Sequence, residues 1–427
     1  MNSPARTVSI VIPTYHRPAS LERALRALSA QSYPLSAVET IVVVDGGGGA
    51  TGDIGNQDWP FVLRVLEQPA LGPAAARNRG ASASTGELLI FLDDDIEPFA
   101  GLVAAHVRAH DGEVARVAIG YLPPQLQGRR DFLAIMLRAW WESMFERMRE
   151  PGHRFAYNDL LSGNFSIERQ LFTAVGGFDE SLRCHEDYEL GVRLIAGGAR
   201  LQFAPDAVGW HHEHTTLARA LGRKRDEGQA DVVLARKYPE LAAALPLCAP
   251  DDRLTRRGKA LKKLALASPP VGDRLEASCR SALSLLEGAR LRSRWRRLLD
   301  DLLSYWYWRG VRDSLGGSSL DTVHREARAI EPDVLEIDLQ RGLETAMQQV
   351  DAAHAHAVRL RWGLIDVGSV DPQPGAERLE GRHLRGLLRT RLARPLAKAI
   401  ELSESLAGGE DADYGMGPRA EAEKTPA

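Results

Sequence analysis

Four short apolar runs mark the first hundred residues: Val8 to Ile12, Ile41 to Val44, Val62 to Leu66 and Leu88 to Leu92. Each is continuous rather than alternating, the pattern of strands covered on both faces. Leu21, Leu25 and Leu28 recur at helical spacing, and Pro34 closes that helix. The stretch from Pro73 to Ser84 also has helical texture. Strands alternating with helices predict an α/β fold with a mostly parallel, doubly wound sheet. Further along, residues 116–122 predict a strand and 131–149 an amphipathic helix carrying Trp140, Trp141 and Phe145. A helix over Glu186 to Ile195 and a strand near Leu201-Gln202-Phe203 follow. Residues 253–312 are Arg- and Leu-rich and helical in pattern, whereas Val334 to Ile337 and Val358 to Leu360 regain strand character.

Composition narrows the class. The chain has 427 residues, 44% hydrophobic and 26% charged, with a formal net charge of -3. That length predicts two or three domains, and the composition excludes collagen-like, coiled-coil and wholly disordered chains. No apolar run reaches about 18 residues, which argues against a membrane-spanning helix. The first residues carry no signal-peptide pattern, and Cys184, Cys248 and Cys279 have neither metal-type spacing nor the number for a disulfide framework. A reducing cytoplasm is the expected location. No internal repeat is present.

Ligands of doubly wound sheets bind outside the carboxyl ends of the strands. Three of the four early strands end in polar groups: Pro13-Thr14-Tyr15, Asp45 before four glycines, and Asp93-Asp94-Asp95. Alternation puts Asp93 and Asp95 on one side, where two hard oxygen donors suit Mg²⁺ or Mn²⁺. A helix N-cap is the simpler reading, but one Asp would serve for that. Asp45 can accept bonds from a base or ribose, or merely form its turn. Arg77, in Ala76-Arg77-Asn78-Arg79-Gly80, can bind phosphate bidentately or be an ordinary surface arginine.

These pieces, in order, resemble glycosyltransferase family 2 with a GT-A fold. The resemblance rests on Val8 to Tyr15, Val44-Asp45, Ala76 to Gly80 and Phe91-Leu92-Asp93-Asp94-Asp95. It continues in Gly163-Asn164-Phe165-Ser166, Gly176-Gly177-Phe178-Asp179-Glu180 and His185-Glu186-Asp187-Tyr188-Glu189-Leu190, so that about residues 6–240 are covered. It implies a Rossmann-like nucleotide-binding half and an acceptor half. Pro13, Thr14, Tyr15, Asp45, Arg77, Asp93 and Asp94 would bind a nucleotide-diphospho-sugar, with Asp45 on the base. Asp95 and Asp93, with His212 from His211-His212-Glu213-His214, would hold Mn²⁺ or Mg²⁺. Gly163 and Asn164 would lie on the acceptor side. Asp187 would be the general base of an inverting transfer and Glu186 would orient it or touch the acceptor; the simpler reading is two acids offsetting a helix dipole. The Gln-x-x-Arg-Trp motif and membrane helices of processive members are missing, which implies addition of one or few sugars.

The resulting organisation is a catalytic domain over 1–240, a basic aromatic helical segment over 241–329, a small mixed α/β region over 330–407 and a disordered tail over 408–427. From Arg253 to Arg297 thirteen Lys/Arg face three Asp/Glu, and Tyr305-Trp306-Tyr307-Trp308 follows. A basic helix with aromatics fits peripheral contact with an anionic membrane; internal packing is the alternative. No nucleic-acid recognition motif accompanies the charge. The expected acceptor is a glycan or lipid-linked intermediate of cell-envelope synthesis. The rival functions are a retaining transferase and a non-catalytic sugar- or nucleotide-binding protein on the same fold.

Overall fold

The structure, a computed structural model, describes residues 5–47, 54–55, 57–112, 115–126, 128–249, 255–326 and 333–409. From residue 410 the tail expected to be disordered lies outside them, as do two of the four glycines after Asp45. The described residues fall into two compact units, Met1–Glu331 with Gln373–Glu377 and Pro332–Pro372 with Arg378–Ala427.

The four early apolar runs become β1 (Val8–Thr14), β2 (Val38–Asp45), β3 (Val62–Gln68) and β4 (Leu88–Leu92). They pair in parallel in the order β3-β2-β1-β4. Helices α1 (Pro18–Leu28) and α2 (Pro73–Ala83) each start with a proline in the first turn, where its missing N–H costs nothing. β5 (Ile96–Pro98), α3 (Leu102–Ala109), β6 (Arg116–Tyr121), β7 (Pro124–Gln125) and α4 (Phe132–Arg149) follow, with the Asp131 side chain capping Ala134 N at the start of α4. β8 (Asn164–Glu168), α5 (Arg169–Ala174), α6 (Glu186–Ala196) and β9 (Arg200–His212) complete a nine-stranded sheet. Its second half runs β8-β6-β9-β5, with β7 also on β9, and is antiparallel at β4-β8, β8-β6 and β9-β5. The sheet is therefore mixed, parallel in its nucleotide-side half. Its core includes stacked Phe91 and Phe165, centroids 4.8 Å apart, with Phe172 and Phe178 against them.

α7 (Leu217–Lys237) begins at the capping hydroxyl of Thr216. The basic segment then folds as α8 (Arg256–Ala267), α9 (Pro269–Gly288), α10 (Arg292–Leu315) and α11 (Leu320–Glu326), in the same compact unit as the large sheet. Its aromatics turn inward: Tyr305, Tyr307 and Trp308 are buried, so they do not form an exposed belt for a lipid surface. α7 and α10 approach backbone to backbone. A Cβ on Gly228 would strike the Tyr307 carbonyl, and one on Gly310 the Arg225 carbonyl. Gly310→Val is expected to part the helices and cost about 1–3 kcal/mol. Urea denaturation checks this, and an unchanged midpoint would contradict it.

The second unit pairs β10 (Val334–Asp338) in parallel with β11 (Ala357–Trp362), which pairs antiparallel with β12 (Ile365–Val370). α12 (Leu343–Ala353), α13 (Gly381–Arg389) and α14 (Ala393–Gly409) close a core of its own around Ile337, Val358, Leu360 and Leu384. Among the described residues no helix is long and apolar enough to cross a membrane.

Candidate functional site

β1, β2 and β4 end at one cavity of about 1620 Å³, whose other walls come from α4, the loop before β8, α6, the end of β9, α7 and α10. Pro13, Thr14, Tyr15, Asp45, Arg77, Asp93, Asp94, Asp95, Gly163 and Asp187 all line it. Residues far apart in the chain thus share one space because the strands that carry them are neighbours in the sheet.

On the nucleotide side, Asp45 is buried and takes hydrogen bonds from Gln68 Nε2 at 2.9 Å, Leu71 N at 2.8 Å and Gly72 N at 2.9 Å. These bonds fix the turn into α2. A carboxylate has about four acceptor positions, so one more donor can still be accommodated. Tyr15 stands 56% exposed with its ring against Gly46, where a Cβ would come within 2.8 Å of the ring. Gly46 also has φ +105°, so both space and backbone call for glycine there.

The three aspartates have different neighbours. Asp94 is buried, accepting the Thr14 hydroxyl at 2.7 Å and Arg17 Nη1 at 3.0 Å. Burial lifts its carboxyl to about 6, against the pull of Arg17 and Thr14. Arg17 Nη1 also reaches Asp95 Oδ2 at 2.8 Å. Burial works against the Arg17 charge, but Asp94 and Asp95 outweigh it and raise its pKa. Asp93 accepts Arg77 Nη2 at 2.7 Å.

The Arg77 side chain is buried, and Nη1 donates at 2.9 Å to Glu186 Oε1 while Nη2 holds Asp93. Both terminal nitrogens are engaged by carboxylates, so this arginine ties the strand end to the first turn of α6, while its buried Nε has no hydrogen-bond partner. Burial and the adjacent Asp187 raise the Glu186 carboxyl, with Arg77 opposing them. Glu186 itself is buried and is not among the cavity-lining side chains; Asp187 is. Asp187 Oδ2 accepts Ser162 N at 3.2 Å and Oδ1 accepts Tyr188 N at 3.0 Å. Two backbone N–H bonds hold it at the cavity wall. Arg223 on α7 also lines that wall within the field of Asp187 and Glu227.

β9 runs through residue 212, so His211 and His212 sit within a strand and alternate in side. His212 Nε2 pairs with Glu97 at 2.7 Å and does not line the cavity. His211 does, with Nε2 3.9 Å from Asp95 Oδ1 and Nδ1 buried without a hydrogen-bond partner. Among the described residues no group of three or more His, Cys, Asp or Glu is placed so that it could hold a metal ion by itself. The open donor set is nevertheless of the right kind: carboxylates of Asp95 and Asp93 and the His211 imidazole, with diphosphate oxygens and water left to supply the rest.

Asn164 is fully buried, donating Nδ2 to the Ala207 carbonyl at 2.9 Å. Its Oδ1 must then accept from His106 Nε2 at 2.8 Å, and His106 Nδ1 contacts the Ser166 hydroxyl at 2.8 Å. Burial depresses the His106 pKa to about 4, keeping it neutral in this network. Asn164 therefore braces β8 from behind, and Gly163 alone of that pair faces the cavity. Sequence reading missed Arg17, although it lies two residues beyond the quoted Tyr15. It also missed the contribution of α7 and α10, for which no local pattern was available.

Residues 9–175 match the family model described as Glycosyl transferase family 2. A pre-mycofactocin glycosyltransferase of Mycobacterium tuberculosis is 28% identical over 250 residues, 56% of this chain and 50% of that protein. A validoxylamine A glucosyltransferase of Streptomyces hygroscopicus subsp. jinggangensis is 31% identical over 234 residues, 48% of this chain and 56% of its own length. The chain spans about half the length of the curated relatives it matches. Among solved structures, the mannosyltransferase PcManGT from Pyrobaculum calidifontis in complex with GDP-Man and Mn²⁺ matches at 18% identity and TM-score 0.47, over 74% of this chain and 89% of that one. The matched stretch, residues 9–175, takes in β1 from its second residue, β2, α2 and β4, and over that stretch the chain is similar to glycosyltransferase family 2.

Proposed function

We propose that the protein transfers a sugar from a nucleotide-diphospho-sugar to a hydroxyl of a glycan or lipid-linked acceptor, with inversion and with help from a divalent cation. The observation that carries this reading is that Asp93 to Asp95 and Asp187 line one cavity at the strand ends, in a chain similar to family 2 over residues 9–175. The nucleotide is assigned to the Thr14, Tyr15 and Asp45 side. Tyr15 offers an exposed ring for a base, and Asp45 retains one acceptor position. Asp95, Asp93 and His211 would hold Mn²⁺ or Mg²⁺, which supplies positive charge to the departing diphosphate.

The acceptor enters opposite, past the 47%-exposed Trp140 and past Arg223. An aromatic face beside polar groups suits a pyranose ring. In the chemical step the acceptor oxygen bonds to C1 of the sugar as the bond from C1 to the diphosphate breaks. The hydroxyl proton passes to the Asp187 side chain as general base. Attack from the Asp187 side and departure on the strand-end side place nucleophile and leaving group on opposite faces, which gives inversion.

The test is the anomeric configuration of the product, read by NMR, with and without chelator. Inverted product whose formation stops in metal-free buffer and returns with Mn²⁺ is expected. Asp95→Ala should weaken Mn²⁺ binding at least tenfold, read by calorimetry on the protein alone. Retained configuration overturns the base role of Asp187, and full transfer without metal overturns the cation role.

A further inference from the structure

The first turn of α6 has a second support besides Arg77, and it comes from outside the matched family stretch. His185, immediately before Glu186, has φ +61°, a left-handed backbone uncommon outside glycine. Its ring stacks on Tyr188 with centroids 4.3 Å apart and planes 19° from parallel. Its buried Nδ1 lies 3.1 Å from Asp231 Oδ1, on α7, an ion-pair distance without hydrogen-bond geometry. The other oxygen of Asp231 accepts the Tyr307 hydroxyl, on α10, at 2.7 Å. Asp231 and Tyr307 are both buried. Burial and the neighbouring carboxylate push the Tyr307 phenol well above its ordinary value, so it stays a donor.

A buried carboxylate is unfavourable unless it is matched. A strained backbone persists only where its surroundings hold it, and such strain gathers at working sites. Here the match and the strain meet one residue before the Glu186-Asp187 pair. The chain of contacts runs Tyr307, Asp231, His185, then the backbone of α6. Because α7 and α10 touch backbone to backbone at Gly228 and Gly310, the far end of this chain is rigid.

We propose that Asp231 and Tyr307 are positioning residues for transfer: together they hold His185, and with it the first turn of α6, so that Asp187 stays aimed into the cavity. The inference rests on reading Asp187 as the base. It gives the α7–α10 segment a task in catalysis that its basic composition does not reveal.

The test uses the full chain and four variants, with kcat, donor KM and donor affinity measured for each. Tyr307→Phe removes only a hydroxyl, and Asp231→Asn changes one charge at nearly constant volume. Each is expected to lower kcat about 10- to 100-fold, the scale of a small displacement of a reacting group. Donor KM and affinity should stay within twofold, because neither residue touches the nucleotide side. Tyr305→Phe is the matched control: its hydroxyl is also on α10 and also bonds a carboxylate, Asp273 at 2.6 Å, on α9. It should lower the melting temperature comparably and leave kcat unchanged. In an Asp187→Asn background, Tyr307→Phe should add nothing. The proposal is overturned if Tyr307→Phe keeps kcat within threefold, or if Tyr305→Phe loses as much. If Asp187→Asn also keeps its turnover, the base assignment has failed; if only Tyr307→Phe does, the positioning role alone has failed. Should Asp231→Asn not fold, Tyr307→Phe and its control still decide.

Discussion

Asp187→Asn is expected to lower kcat by about 10²–10⁴, the range associated with losing a positioned general base. The substitution preserves shape and removes the capacity to take a proton. Asp187 accepts two backbone N–H bonds, from Ser162 and Tyr188, and the amide oxygen can satisfy only one of them. The cost in stability is therefore about 1–2 kcal/mol, as for one buried donor left unmatched. That is too small to explain a rate loss of this size through unfolding. Donor affinity should hold, since the nucleotide-side contacts of Asp45, Thr14 and Asp94 involve no atom of α6. Calorimetric titration with donor and turnover under saturating substrates separate the two quantities. A variant retaining a tenth or more of the wild-type kcat would remove Asp187 from the role.

The nucleotide half was legible because its signals are local. A strand such as Val8–Thr14, buried on both faces, must be apolar throughout, and the polar residue that ends it must stand at the sheet edge. Thr14, Asp45 and Asp93 therefore reach the cavity by the same rule. What the sequence does not show depends on partners distant in the chain. Glu186, 109 residues after Arg77, takes one of its nitrogens. His212 is the metal candidate that the family resemblance implies, whereas alternation along β9 puts His211 on the cavity side. Asn164 looks functional beside Gly163, and its amide bonds both the buried Ala207 carbonyl and His106. The aromatic run at 305–308 reads equally as a membrane belt or a core. Only the helix packed against it, α7, decides for the core.

The second large effect is expected at Arg77, and it is on stability. Arg77→Met keeps most of the side-chain volume and leaves Glu186 buried without its cation. Removing one partner of a buried ion pair costs about 3–5 kcal/mol, because the remaining charge has lost its compensation. Asp93, about a third exposed, recovers hydration and adds little. The sign of the pH dependence follows from Glu186, whose carboxyl is already raised by burial and by Asp187. Without Arg77 it rises further. A carboxyl raised in the folded state binds a proton more readily there than in the unfolded chain, so stability is lost as pH rises through the folded value. The Arg77→Met deficit should accordingly be largest near pH 8 and shrink on acidification. Adding Glu186→Gln should recover part of it, since the stranded charge is gone, whereas independent sites would simply add. Urea denaturation of the two single variants and the double variant at pH 8 and pH 5.5 measures all of this. A deficit below about 1 kcal/mol, or one that is additive and independent of pH, would show that the bridge from Asp93 to the first turn of α6 contributes little to the fold.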